Sequence, residues 1–158
     1  MFRSLFFATT AAMLAGLLVG CGSKPLPPAE AIAFADRCDP RFDEQIVKGA
    51  SVFKRVTLEG TLDIPRGMFV VCRDTCEVSL HGQPDRSDPP FTMFVTVGEG
   101  ENQASEYPET YSDADLKVHA VGGKTLGVGA RVRVTGSRLG SKEDGVCALT
   151  HIEKIEAI

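Results

Sequence analysis

The chain predicts an all-β domain, a small antiparallel barrel preceded by a short tether with one or two short helices. Three observations predict it. From Ser51 onward apolar residues recur every second position, which is the mark of half-buried strands. Polar or glycine-bearing turns separate these runs at short spacing. Helical spacing is confined to short segments before residue 51.

The elements follow in order. Ala29 to Arg37 (AEAIAFADR) follows Pro27 and Pro28 and has a helix-forming composition, so about two helical turns are expected there. RFDEQIV, from Arg41 to Val47, is expected to add a second short turn. In VTLEGTLDI, Val56, Leu58, Leu62 and Ile64 alternate with Thr57, Glu59, Thr61 and Asp63. That is a strand with one face buried and Gly60 at a bend or bulge. MFVVCRDTCEVSLHG holds two apolar runs around Arg73-Asp74-Thr75 and reads as a hairpin. Phe91 to Gly98 is a further strand, and Leu116 to Gly123 a shorter one ending in a Gly-Gly turn. GARVRVTGSRLG sets Val132 and Val134 on one face against Arg131, Arg133 and Thr135. CALTHIEKIEAI, Cys147 to Ile158, is the last strand.

The VTLEGTL strand, the segment GVGARVRVTGSRLG after a glycine-rich turn, and HIEKIEAI at the end carry a resemblance to OB-fold domains. The segment Gly129 to Gly136 is similar to the G-x-x-V-x-V-x-G pattern of bacterial OB-like domains. The resemblance covers about two-thirds of the chain, with another small β-barrel or sandwich as the rival arrangement. It departs from the family in one respect. Where a helix usually joins the third and fourth strands, this chain has the acidic stretch EGENQASEYPETYSDAD.

The first residues, MFRSLFFATTAAMLAGLLVGCGSKPLPP, have the layout of a secretory signal. Arg3 is followed by an uncharged apolar run from Leu5 to Val19. Roughly 15 apolar residues suit a signal core, whereas about 20 are needed to span a bilayer. Leu18-Val19-Gly20-Cys21 resembles a bacterial lipobox at all four positions. The resemblance implies cleavage before Cys21 and a diacylglycerol thioether on it. Each buried CH₂ is worth about 0.8 kcal/mol, so two or three chains would hold the protein to a membrane. Gly22 and Ser23 stand where many inner-membrane lipoproteins carry Asp, so the resemblance implies the outer membrane, facing the periplasm. The expected organisation is therefore a signal peptide over 1–20, a lipid-anchored tether with short helical segments over 21–50, and an OB-like barrel over 51–158.

Without the signal the chain has 138 residues and a net charge of −5, which suits one domain and gives no basic surface for nucleic acid. Setting Cys21 aside leaves Cys38, Cys72, Cys76 and Cys147, an even number for an oxidising compartment. Four cysteines allow three pairings. Cys72 and Cys76 flank a hairpin loop where Cα atoms about 5.5 Å apart are within disulfide reach. Cys38–Cys147 then remains, tying the segment before the barrel to the last strand. The alternative is a redox site at CRDTC, with Cys72 or Cys76 as attacking thiolate, although such dithiols usually sit as C-x-x-C at a helix start.

No metal or cofactor is called for. His81, His119 and His151 lack ligand spacing, and the acidic residues from Asp85 to Asp115 form no calcium-loop pattern, so they read as solvated loops. SxxK-like, G-x-S-x-G and Walker patterns are absent, and no catalytic residues are assigned. A ligand face is expected on the second and third barrel strands and their loops. Its candidates are Arg73, His81, Phe94, Tyr107 and Tyr111, with Ser79, Gln83, Arg86, Thr92 and Thr96 beside them. The two tyrosines are the candidate platform for a glycan, against the plainer reading of local packing. Arg131, Arg133, Arg138 and Lys142 form one basic stripe, read as a solvated strand face. The functional expectation is a lipid-anchored envelope protein that acts by binding or by position, without catalysis. Its partners are the membrane and either another envelope protein or a glycan. The competing class is a thiol-disulfide oxidoreductase.

Overall fold

A computed structural model describes residues 28–43, 45–47, 50–67, 72–141 and 146–158. The signal peptide, the lipobox and Lys142 lie outside the described residues. Eleven strands are present among the described residues: β1 (Glu30–Ala31), β2 (Gln45–Val47), β3 (Ala50–Val52), β4 (Arg55–Asp63), β5 (Thr75–His81), β6 (Phe91–Thr96), β7 (Gln103–Ala104), β8 (Val118–Ala120), β9 (Lys124–Leu126), β10 (Arg131–Ser141) and β11 (Val146–Ala157).

Five of them close the barrel. Around the wall the order is β4-β10-β11-β6-β5, and β5 pairs back onto β4. In chain order the wall thus runs first, second, third, fifth, fourth, an OB-like Greek-key closure. All neighbours are antiparallel except β6 and β11, which pair in parallel through Ala148↔Thr92 and Leu149↔Met93. Alternation decides which side chains point inward. Val56, Leu58 and Leu62 of β4, Val78 and Leu80 of β5, Met93 and Val95 of β6, and Val132 and Val134 of β10 are all buried. Closure leaves little sheet edge in the wall and gathers these side chains into one core.

Gly60 does not mark a bulge. Pairing with β10 passes through Val132↔Gly60 without a shift. A Cβ at Gly60 would lie 2.5 Å from Leu80 Cγ and 2.8 Å from the His81 carbonyl oxygen, so the residue is small because β4 and β5 meet there. The irregularity lies in β11, where His151, Ile152 and Glu153 together oppose Gly136, between Thr135↔Lys154 and Ser137↔Thr150.

The segment before the barrel is shorter in helix and tighter in packing than its composition predicts. Instead of two helical turns over Ala29–Arg37 there is strand β1, then a single 3-10 turn at Phe34–Asp36. The second segment holds one 3-10 turn at Pro40–Phe42 and then β2. Isolated helices this short are marginal, and here main-chain pairing with the barrel outweighs propensity. β1 runs parallel to β4 through Glu30↔Val56 and Ala31↔Thr57, and the Ile32 N–H donates to the Thr57 carbonyl at 2.9 Å. Phe34 meets Phe91 edge-on at 6.4 Å between ring centres. Phe42 is fully buried. The residues from 30 to 43 are therefore a strap on the barrel surface.

The acidic stretch after β6 is also more than a solvated loop. β7, β8 and β9 form a small antiparallel meander, and Ser112 and Asp115 make a reciprocal capping box on the 3-10 turn Asp113–Asp115. Its apolar minority, Ala104, Tyr107, Leu116, Val118 and Ala120, joins the barrel core. Leu116–Gly123 is thus part of this cap and not of the barrel wall. Asn102, in the left-handed region at φ 63°, pins the cap: its N–H donates to the His119 carbonyl and its Oδ1 accepts from the Ile155 N–H at 2.7 Å.

Candidate functional site

On β5 and β6 the residues of outward parity are Thr75, Glu77, Ser79 and His81 beside Thr92, Phe94 and Thr96. The register sets Thr75 against Thr96, Glu77 against Phe94 and Ser79 against Thr92. Phe94 is 37% exposed, one of two large hydrophobic residues exposed among those described; the other is Ile158. Thr92 is half-buried and Thr96 exposed, and Arg73 is exposed in the turn between the two cysteines. The open part of the expected ligand face is therefore Phe94 with its threonine and glutamate neighbours.

His81 is on the same face of β5 but is covered. Its side chain is 8% exposed, and the β5–β6 connection folds over it. Nδ1 lies 2.8 Å from the Asp88 carbonyl, which can only accept, so the Nδ1 proton is fixed there. Nε2 lies 3.6 Å from Asp63 Oδ2. Asp63, which outward parity on β4 hides from a motif search, organises the cluster: Oδ1 accepts from Arg86 Nη1 at 2.9 Å and from the Ile64 N–H at 2.8 Å. Arg86 reaches it from a left-handed backbone, φ 58°, in a turn closed by its N–H to the Gln83 carbonyl. Asp88 in turn accepts from the Gly82 and Gln83 N–H groups at 2.9 and 3.1 Å. Burial pushes the Asp88 carboxyl up, but those two main-chain donors, its own N–H and the nearby His81 outweigh it, and the group sits below the ordinary carboxylate range. The cluster closes the loop onto the barrel and leaves His81 covered.

The two tyrosines are brought together, with ring centres 5.1 Å apart, but their hydroxyls are engaged with main chain. Tyr107 donates to the Glu77 carbonyl at 2.7 Å and Tyr111 to the Pro65 carbonyl at 2.6 Å. Tyr107 is buried, and burial first, with Tyr111 and Glu77 nearby, pushes its phenol above the ordinary range. The pair packs the cap onto β5, and that use of Tyr107 removes it from an open platform.

The basic stripe divides. Arg133 reaches Glu59 on the neighbouring strand through Nε at 3.0 Å and Nη2 at 2.6 Å, and Arg131 approaches the other oxygen at 3.8 Å. Arg138 does not belong to that solvated face. It has the same parity as Val132 and Val134, so it points inward at the end of the barrel that the strap covers, and it is 3% exposed. There it forms an ion pair with Asp43 and donates to the Asp39 carbonyl at 2.7 Å.

The histidines keep separate partners: His119 contacts Ser105 and Glu99, and the His151 ring lies 5.9 Å from Phe53. Among the described residues no group of three potential metal ligands converges. Several members of the acidic run are used locally: Asp113 pairs with Arg66, Glu101 accepts from the Gly122 N–H, and Asp85 accepts from Ser87.

Both expected disulfides are formed. Cys38–Cys147 joins the strap to β11 with Cα atoms 5.8 Å apart. Cys72–Cys76 closes the CRDTC turn with Cα atoms 4.1 Å apart. Cys76 is fully buried and Cys72 is 8% exposed, beneath Ser105 and Tyr107 of the cap; the Tyr107 N–H points at Cys72 Sγ, 3.4 Å away. One further concavity escaped sequence reasoning. A groove of about 300 Å³ runs between Ala31–Phe34 of the strap and Thr57–Glu59 of β4, with Arg133 at its side. A two-residue parallel pairing leaves no periodic signal by which it could have been found.

Fold and site together define a disulfide-braced OB-like barrel whose amino-terminal strap and acidic cap are folded into the domain. Comparison with family models, curated proteins and solved structures returned no match to this chain.

Proposed function

We propose that this is a lipid-anchored cell-envelope protein, attached through Cys21 and facing the periplasm, whose barrel works by binding or by position and not by catalysis. The observation that carries the reading is the use of the cysteines. Four of five pair in two disulfides, which suits an oxidising compartment, and the one left over is the cysteine of the lipobox-like LVGC. The buried position of Cys72 and Cys76 under the cap supports a bracing role for that pair over a cycling one. The surface it would offer a partner, another envelope protein or a glycan, is the β6 face around Phe94.

The test is expression of the full chain in a bacterial host with a radiolabelled fatty acid. The wild type is expected to carry label and to sediment with membranes. The Cys21→Ala variant is expected to lose both while keeping the two disulfides. A wild type that is unlabelled and recovered in the soluble fraction would sink the proposal. Cross-linking in intact cells, read by mass spectrometry, then identifies the partner.

A further inference from the structure

Arg138 holds more hydrogen-bonding capacity than the oxidised protein uses. Its side chain is 3% exposed, so a donor it leaves unpaired is unpaired away from water. Nη1 is engaged with the strap, through the Asp39 carbonyl and the carboxylate of Asp43. Among the described residues Nε has no partner, and Nη2, on the same edge of the guanidinium, has Cys147 Sγ at 3.7 Å. A disulfide sulfur is a weak acceptor, so this edge aims a buried positive charge at an atom that gives little back. A thiolate at Cys147 supplies what is missing, an anion against an N–H fork. Asp43 offsets part of the charge from the Nη1 side. The Arg37 carbonyl, 3.4 Å from the same sulfur, opposes the anion, but as a dipole against a charge that burial leaves poorly screened.

From this geometry we infer that Cys38–Cys147 is a latch that dithiols open, whereas Cys72–Cys76 stays closed to them. The two bridges differ in access. Cys38 is exposed and Cys147 half-buried, while Cys76 is fully buried and Cys72 is 8% exposed beneath the cap. A thiolate of the reductant attacks Cys38 Sγ and forms a new S–S bond there, and Cys147 leaves with the electron pair of the old bond. Arg138 stabilises that leaving thiolate, and a more acidic leaving thiol departs faster. The second thiol of the reductant gives its proton to solvent and displaces Cys38, which leaves as a thiolate and takes up a proton. Two electrons have then passed to the protein, and the dithiol has become a disulfide. Opening removes the covalent link between strap and β11. Short main-chain pairing to β4, Phe34 against Phe91, an Arg37 hydrogen bond to the Pro89 carbonyl at 3.2 Å and the Arg138 contacts then hold the strap without it. Phe34 also rests on Gly82, where a Cβ would lie 2.5 Å from its Cδ1, so a strap that lifts frees the β5–β6 connection with it. This response adds to the binding role proposed above and does not depend on lipid at Cys21.

The oxidised full chain is treated with dithiothreitol, quenched at intervals with N-ethylmaleimide and mapped by peptide mass spectrometry. Cys38 and Cys147 are expected to appear as thiols at least about tenfold faster than Cys72 and Cys76. With excess glutathione in place of the dithiol and an acid quench, the trapped mixed disulfide is expected on Cys38. Deuterium exchange of the selectively opened protein is expected to show several-fold faster uptake over residues 30–43 and 82–90, with β10 unchanged. Arg138→Gln is expected to slow opening about tenfold, and Arg138→Lys, which keeps a charge, to stay within about threefold of the wild type. Simultaneous opening of both bridges, earlier opening of Cys72–Cys76, glutathione on Cys147, or unchanged uptake in the strap would each overturn the inference. So would a folded Arg138→Gln variant that opens as fast as the wild type. The first three measurements use the wild-type chain, so they decide the matter even where a variant fails to fold.

Discussion

Consider removing each disulfide in turn, as Cys38→Ala with Cys147→Ala and as Cys72→Ala with Cys76→Ala. The two bridges span 109 and 4 residues of sequence. In the chain-entropy account, opening the first restores about 4.8 kcal/mol of denatured-state freedom at 25 °C and opening the second about 1.9 kcal/mol. The constant in that relation is common to both, so the difference of about 2.9 kcal/mol is the firmer quantity. Packing works against it. Cys72 and Cys76 are buried, so trimming them loses core contacts worth roughly 1 kcal/mol that the more exposed Cys38 does not lose. The expectation is a net ordering in which the long bridge costs about 2 kcal/mol more than the short one. Urea unfolding followed by circular dichroism, with both variants fitted to a shared slope, measures the ordering directly. A short-bridge variant as destabilised as the long-bridge variant would refute the reasoning, because it would mean the strap is not kept near β11 by Cys38–Cys147.

Three other expectations can be checked the same way. Gly60→Ala pushes a methyl into Leu80 and the His81 carbonyl, and thermal unfolding is expected to show a loss of about 1–3 kcal/mol. Arg138→Ala leaves the carboxylate of Asp43 without its buried partner and is expected to cost about 3–5 kcal/mol in urea, whereas Arg133→Ala, at an exposed pair, is expected to cost less than about 1 kcal/mol. Acid stability should follow Asp88, whose carboxyl lies below the ordinary range because main-chain donors outweigh its burial. A depressed carboxyl stabilises the fold above the unfolded value of about 3.9, and that contribution is lost as pH falls through the folded value. Melts of Asp88→Asn from pH 6 down to 2 are therefore expected to show a shallower acid limb than the wild type.

The barrel wall was legible because each strand buries one face. Val56, Leu58 and Leu62 alternate with the polar Thr57, Glu59, Thr61 and Asp63, and Val132 and Val134 alternate with Arg131, Arg133 and Thr135. The disulfides were legible because an even cysteine set and one tight turn leave few choices. The strap and the cap were not legible, and for one physical reason. Their anchors, the half-buried Phe34 and the buried Phe42, Tyr107 and Leu116, are single apolar residues in polar sequence, and no period announces them. Arg138 failed differently. Its charge suggested solvent, while its parity with Val132 and Val134 placed it inward; parity prevailed because the strap supplies Asp43 as a counter-charge. The residues expected on the ligand face differ in exposure. Phe94 is available, whereas His81 and Tyr107 are held by the loop and the cap.

These differences bear on function through a single geometric consequence. Residues assigned to a tether and to a solvated loop instead cover two parts of the barrel surface, and they leave the outer face of β6 around Phe94 open. The strap puts β1 and β4 on the side from which the chain departs. The cap takes the place of the expected helix and draws Tyr107 and Tyr111 onto β5. What remains is a face with one exposed aromatic ring, Phe94, set between Thr92 and Thr96 on its own strand and opposite Glu77. It lies on the strand that also carries Phe91, against which Phe34 of the strap packs, so the strap and this open face share β6. Loosening the strap would therefore disturb the strand that carries Phe94.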